Sequence, residues 1–520
     1  MKKQQEHHRF KSSITAEHLA HVFSWGFFLS LIKSNKFNFY LIGACWALLY
    51  LPHLRINPKW YGDETLIHHT ARNLIHGIPS NFALWNTFWH PHYPYQSLYT
   101  FICGLFSFFT SGDIVGSRFF NALLALACAF SFFFLGKRSF GSSGALFATL
   151  MFLSYEQSII HFRMSYAHNG AALGNLLLTL YLLRPSELKT DLKGGLGLAL
   201  SAGSHPLFIH SAVAAFFLRI TRPKSWIPLF LPTGLYLMVS IGLLYWRFGP
   251  WLAEDLKHLS DSFVNRGGQD ASSLLEALSN LLQFATQDWY HLSAVIGLLL
   301  CLNRRFYAAG LMGLWVLLML VKNRANLIVF YYQAVVILPV LALGWARWFG
   351  IFQATSQKFF GNSRWAATLW ILPTLLFLTN FPSSWNNHLT PRNQYLVTQD
   401  TKEVESCAAW INERTTPDDF VAANPNIAWL LKARVAPYLQ IITWYGETTQ
   451  GYENGNKRER FRYDCSLEKA RYAIIGDIDQ RWTFGEPNVN HLVELLQSHQ
   501  WPVVWKGAYY LVLANPSLPK

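Results

Sequence analysis

Residues 97–110, SLYTFICGLFSFFT, decide how the rest of the chain is threaded. The run is apolar and uncharged, yet it is shorter than the roughly 20 residues a straight helix needs to cross a bilayer. Other apolar runs stand near 38–54, 118–136, 143–160, 169–183, 194–204, 206–218, 226–246, 291–302, 306–321, 327–345 and 365–381. If 97–110 also crosses, Lys137–Arg138 falls outside and the charge bias reverses halfway along. If it lies in the interface, Lys137–Arg138, Arg184 to Lys193, Arg219 to Lys224, Arg304–Arg305 and Arg347 to Arg364 all share the cytoplasmic side, as the positive-inside rule requires. We adopt the second reading. It gives about eleven transmembrane helices, several of them short enough to need tilt or polar extension.

The composition agrees. Of 520 residues, 52% are hydrophobic and only 14% charged, which defines a polytopic α-helical membrane protein. The net charge of +14 is dispersed between apolar runs, so it reports topology and not a nucleic-acid-binding face. Residues 1–37 read as a cytoplasmic segment, with 21–32 too brief to span and lying in the interface. Residues 38–381 form the transmembrane domain, with 55–117 as a first outer loop, and the N-terminus is cytoplasmic. Residues 382–520 read as an extracytoplasmic α/β domain. There, DTKEVESCAAWINERTTPDDFVAAN (400–424) reads as an amphipathic helix and a strand, and KARYAIIGDID and GAYYLVLANP as further strands, the last after WPVV. Cys45, Cys103, Cys128 and Cys301 fall in apolar runs and read as packing residues. Cys407 and Cys465 are able to pair if the tail faces an oxidising compartment.

On this threading the titratable residues gather on the outer face. WYGDETLIHHTARNLIHG (60–77) follows the first span. A helix starting after Gly62 puts Leu66, Ile67, Ala71, Leu74 and Ile75 on an apolar side and Glu64, His68, Arg72 and His76 along another. Asp63 then reads either as an N-cap, with Glu64 favouring the positive helix end, or as a catalytic acid, and a cap would also hold its carboxylate rigidly. NTFWHPHYPYQSLY (86–99) carries His90 and His92, which fit a rigid entry into the interfacial helix or substrate contact; they lack further ligands for a metal site. IIHFRMSYAHN (159–169) carries Arg163 and His168, the arginine either snorkelling or binding an anion. Lys322 and Arg324 make a basic turn on the outer face, a departure from positive-inside that a bound phosphate explains. Arg266 lies in a Gly-containing loop, FVNRGGQDASS, able to close over a substrate. Asp477-Ile478-Asp479 is a DxD after a strand, without the nucleotide-binding domain that would give it meaning. No GxGxxG, Walker A, HExxH or GxSxG pattern occurs.

An acidic pair directly after the first span resembles the GT-C superfamily of integral-membrane glycosyltransferases, in the branch of the protein O-mannosyltransferases and the lipid A aminoarabinose transferase. GSRFFNALLA (116–125), HFRMSYAHNGAALGNLLLTLYLL (161–183) and KNRANLIVFYYQAVVILPVLALGWA (322–346) resemble that branch in order and spacing. The resemblance implies sugar transfer from a polyprenyl-phosphate-linked donor to a lipid, glycan or protein acceptor outside the plasma (inner) membrane. It implies Asp63, with Glu64 beside it, as the acid that deprotonates or orients the acceptor, and Lys322 and Arg324 as phosphate ligands, with Arg163 a further candidate. Related members often carry an aspartate near Asn169, where this chain has His168–Asn169. That speaks against a second catalytic carboxylate or a metal there. No cofactor is assigned with certainty, and a divalent cation stays an open alternative. The rival reading is a transporter or flippase of a lipid-linked substrate, which the absence of repeated halves disfavours.

Overall fold

A computed structural model describes residues 34–60, 62–77, 81–83, 97–249, 251–254, 257, 274–286, 288–303, 305–322, 335–360, 400–448, 458–476, 479 and 487–518. Residues 1–33 and 361–399, including the interfacial reading of 21–32 and the apolar run at 365–381, lie outside this set.

The first helix, α1 (Asn35–Tyr50), starts where the Ser34 hydroxyl accepts from the Phe37 amide. After α2 (Gly62–His76) and α3 (Ser97–Phe108), the chain enters α4 (Ile114–Ser131), a π-helical segment Phe132–Gly136, and α5 (Lys137–Ser154). Gly141 breaks this last stretch with φ 78°, a conformation that glycine adopts without a Cβ clash. The chain reverses there. The Thr149 hydroxyl lies 3.5 Å from the Ala129 carbonyl, far closer than a straight helix would allow. The apolar runs at 118–136 and 143–160 are therefore two arms of a hairpin with Lys137 and Arg138 near its tip.

The hairpin is followed by α6 (Glu156–His161), α7 (Ala167–Leu182), α8 (Leu188–Ala202), α9 (Phe208–Arg219), α10 (Trp226–Phe248), α11 (Leu274–Thr286), α12 (Trp289–Leu300), α13 (Tyr307–Lys322) and α14 (Leu338–Phe360). Helices α12 and α14 cross at Gly297 and Gly344, where a Cβ on either glycine would run into the other helix's backbone. Small residues at such a crossing let two apolar helices touch closely.

The basic clusters collect at one end of this bundle. Lys137 donates to Asn35 at the start of α1, and Arg219 donates to the Arg184 carbonyl. Arg305 and Arg347 both lie over Phe306, which stacks on Phe140. The opposite end holds Tyr50, which donates to the Leu153 carbonyl, and the segments 51–60 and 155–166. Helix α3 begins and ends there: the Tyr99 amide donates to the Gly203 carbonyl, and Gly112 accepts from His68 of α2. The short run that decided the threading does not cross the bundle.

Among the described residues three stretches are long and apolar enough to cross a membrane, namely Ile114–Ser154, Pro223–Trp246 and Val335–Phe359. Ser97–Phe108, Phe208–Arg219, Trp289–Leu300 and Tyr307–Val321 are apolar but shorter. The expected shortness of several spans is thus visible as helix length.

The C-terminal region forms a five-stranded sheet in the order β2-β1-β3-β5-β4. Its strands are β1 (Phe420–Ala422), β2 (Arg434–Ala436), β3 (Ala470–Gly476), β4 (Val503–Lys506) and β5 (Tyr510–Ala514). The first three run parallel, and β5 is antiparallel to both β3 and β4. Helix α15 (Thr401–Asn412) precedes the sheet and the short α16 (Pro425–Ala428) follows β1. Cys407 and Cys465 are both free thiols, buried in different apolar clusters of this region, so they form no disulfide. Burial pushes each thiol up to about 12.

Candidate active site

Asp63 occupies the first turn of α2 and is partly exposed. The helix already includes Gly62, so Asp63 stands inside the first turn and not at the cap. The residues after it are packed on every side. Leu66, Ile67 and Ala71 are buried as expected, but so are Glu64 and His68, while Leu74 is 39% exposed. The first half of the polar stripe, which amphipathicity assigns to water, is instead covered by protein, while Arg72 is half-buried and His76 exposed.

Glu64 is fully buried, and both its oxygens are committed. The Arg118 guanidinium donates Nε to one oxygen and Nη2 to the other, each at 2.7 Å. The Ser165 amide adds a third bond at 2.9 Å. Arg118 also donates Nη1 to the carbonyls of Leu54 and Pro58 at 2.9 and 2.7 Å. One guanidinium, itself fully buried, thus ties α4 to α2 and to the loop leading into it. This bidentate geometry is open to arginine and not to lysine. Arg118 is the residue that the reading of candidate sites passed over. Its signal was a lone arginine close to the start of an apolar run.

Further contacts fix the same helix. Burial, then the charge of Arg72, pushes His68 down to about 3, so its ring is neutral. Its Nε2 donates to the Gly112 carbonyl at 3.1 Å, and Nδ1 accepts from the Ser117 hydroxyl at 2.9 Å. The C-terminal region closes the other side. Thr65 donates to the Pro425 carbonyl at 3.2 Å, Arg72 to the Trp429 carbonyl at 3.0 Å, and Trp60 meets Trp429 edge-on. Phe82 bridges in parallel to Val435, extending the sheet at β2 by a piece of the first loop. Arg55 joins Asp113 and Glu405.

Arg163 lies in the neighbouring loop, 1% exposed, and donates to the Pro52 carbonyl. Burial, then the like charge of Arg118, lowers its guanidinium to about 9. Asn169 pins that loop by donating to the His161 carbonyl at 2.9 Å and to Asn121 at 2.7 Å. His168 is buried with its ring 4.0 Å from that of His205. Among the described residues no group of three or more His, Cys, Asp and Glu is arranged to hold a metal ion.

Lys322 closes α13. That helix starts beside Phe306, at the basic end, so its last turn lies at the Asp63 end of the bundle. Arg324, Arg266, His90 and His92 lie outside the described residues.

The DxD pattern resolves differently. Asp477 is outside the described set, and Asp479 points inward, accepting from the Gly476 amide at 2.8 Å and from Asn424 at 3.1 Å. Burial raises its carboxyl to about 7, against the pull of those two bonds. Below about pH 4 folded and unfolded chains both hold this proton; between about pH 4 and 7 only the folded chain does. Stability is therefore lost as pH rises through that window, by up to about 4 kcal/mol for a shift of roughly three units. Asp479→Asn keeps an acceptor oxygen without the charge. Asp479 accepts through both oxygens and Asn offers only one, so a bond is lost at every pH. The thermal midpoint in detergent, taken relative to wild type, should be higher at pH 8 than near pH 4; equal shifts at both pH values would refute the burial argument.

A helical bundle whose first loop carries an acidic pair, braced by a C-terminal α/β unit, is a fold shared with solved glycosyltransferase structures. The structure is similar to that of ArnT from Cupriavidus metallidurans bound to undecaprenyl phosphate, with TM-score 0.61 and 12% identity over 95% of this chain and 99% of that one. The apo state of the same protein gives a TM-score of 0.55 at 12% identity, covering 92% and 97%. The archaeal oligosaccharyltransferase AglB from Archaeoglobus fulgidus, in complex with an inhibitory peptide and a dolichol-phosphate, gives 0.51 at 11% identity, covering 86% and 70%. No family model and no curated protein matches the chain.

Proposed function

We propose that this chain is an integral-membrane glycosyltransferase that moves a sugar from a polyprenyl-phosphate carrier to an acceptor outside the plasma membrane. The observation that carries the reading is Asp63: a partly exposed carboxylate on a helix whose next turns are locked, at the same end of the bundle as the close of α13. The ArnT and AglB structures, solved with undecaprenyl phosphate and with a dolichol-phosphate, support a lipid-phosphate donor for the shared fold.

In this reading Asp63 accepts the proton of the acceptor hydroxyl or amine as that atom attacks the anomeric carbon. The bond between that carbon and the carrier phosphate breaks with inversion, and the phosphate leaves with the bonding pair. Lys322 and Arg324 offset the negative charge that grows on the phosphate. Glu64 and Arg163 act as positioning residues, because each is buried and already bonded to backbone or guanidinium groups. The basic end of the bundle faces the cytoplasm with the N-terminus, and residues 382–520 form the outer domain over the acceptor side.

The direct test incubates the detergent-purified chain with undecaprenyl-phosphate-linked hexoses and pentoses and measures release of free undecaprenyl phosphate by mass spectrometry. Acceptor-dependent release with one donor supports the enzyme, since a flippase needs two compartments to show activity. A folded chain that releases carrier from none of these donors, with a cell-envelope extract as acceptor source, would refute it.

A further inference from the structure

The basic end of the bundle carries a feature that positive-inside topology alone does not explain. Arg184, just past the end of α7, lies over the Tyr181 ring with its guanidinium carbon 4.8 Å from the centroid. Lys193 of α8 approaches the same ring, its ammonium at 5.9 Å. Arg138, at the hairpin tip, is near enough that its charge, after burial, lowers the Arg184 pKa. Two cations therefore crowd one aromatic ring, with the charge of Arg138 close by.

Among the described residues no acid forms an ion pair with Arg138, Arg184 or Lys193. Asp191, the nearest buried acid, is taken by Arg219 at 3.2 Å and by the Ser186 hydroxyl at 2.6 Å. Glu187 forms no ion pair among the described residues. The Nη2 of Arg184 is enclosed yet meets no hydrogen-bond acceptor among the described residues. An enclosed charged donor without an acceptor is costly, so the group calls for a ligand that brings one. A phosphate does so, with several acceptor oxygens and a charge that relieves the repulsion.

The surface beside the cations identifies the rest of the ligand. Leu188, Leu192 and Leu196 stand at i, i+4 and i+8 of α8, and are 75%, 40% and 58% exposed. They form an exposed apolar ridge along α8, the helix that carries Lys193, running from its first turn toward the middle of the bundle. We propose that Arg184 and Lys193, over Tyr181, together with Arg138 bind the phosphate of an anionic membrane phospholipid whose acyl chains lie along the leucine ridge. The site faces the membrane surface opposite Asp63, and its occupancy is independent of the sugar-transfer reading.

Native mass spectrometry of the delipidated full chain in detergent tests this with three probes: phosphatidylglycerol, phosphatidylcholine and inorganic phosphate. Wild type should retain the first phosphatidylglycerol at a concentration about ten-fold lower than R138Q/R184Q/K193Q does, with phosphatidylcholine retained no better than by that variant. Arg138 and Lys193 are exposed, so R138Q and K193Q alone should fold and each weaken retention; K358Q, at the far end of α14, should not. Equal retention by wild type and the triple variant would overturn the proposal. Displacement of the lipid by millimolar inorganic phosphate would overturn the lipid assignment in favour of a free phosphate ligand.

Discussion

Asp63→Asn is expected to lower sugar transfer by about 10³-fold, with the thermal midpoint in detergent unchanged. The amide is the same size as the carboxylate but cannot take the acceptor's proton. The fold should tolerate it because the buried bracing of α2 runs through Glu64, His68, Thr65 and Arg72. Asp63→Glu keeps the charge but moves it by one methylene. It should retain more activity than the amide while losing about ten- to a hundred-fold, the scale on which misplacing a reacting group by about 1 Å acts. Donor binding should be little changed in both variants, so the loss should fall on kcat. Normal turnover in Asp63→Asn, from a chain shown to be folded, would remove this residue from the mechanism.

That expectation depends on separating two adjacent acids, which the sequence alone left paired. Asp63 and Glu64 share a motif, and helical periodicity puts Glu64 on a polar stripe with His68 and Arg72. The periodicity is real, but its usual meaning assumes that polar faces meet water. Here the stripe meets Arg118, Ser117, Gly112 and Trp429, contacts 49 and 54 positions away along the chain for two of the bonds and more than 300 for another. Nothing local announces such partners. What was legible follows from physics that acts locally or globally, not at intermediate range. The charge bias placed Lys137, Arg184, Arg219, Arg305 and Arg347 at one end of the bundle, because charge counting needs no tertiary contact. The short run 97–110 was set aside by the same charge bias together with its length, and it does not cross. Strands at 420–422, 470–476 and 510–514 followed from β-rich composition and turn signals. Their order did not, nor did the strand-like docking of Phe82 on Val435, since register between distant segments is settled by packing.

Removing Arg118 should have the second large effect, and on stability as well as activity. Arg118→Ala leaves the Glu64 carboxylate fully buried with only the Ser165 amide, and frees the carbonyls of Leu54 and Pro58. Breaking a buried pair from one side typically costs about 3–5 kcal/mol, because the remaining charge stays desolvated. Glu64→Gln should cost less, since the amide still offers an oxygen to Arg118. The informative variant is the double Arg118→Met, Glu64→Leu, which removes both charges and keeps apolar volume. Replacing a whole buried pair is often neutral for stability, so the double should recover most of what Arg118→Ala loses. Activity should not recover with it. The carbonyl bonds from Arg118 also hold the loop that delivers Asp63, and a methionine cannot make them. A double variant restored in stability but still about a hundred-fold slow would assign the pair to placing Asp63. Recovery of both together would reduce it to a structural bridge, and loss of both would mean that the network is needed for folding before it matters for chemistry.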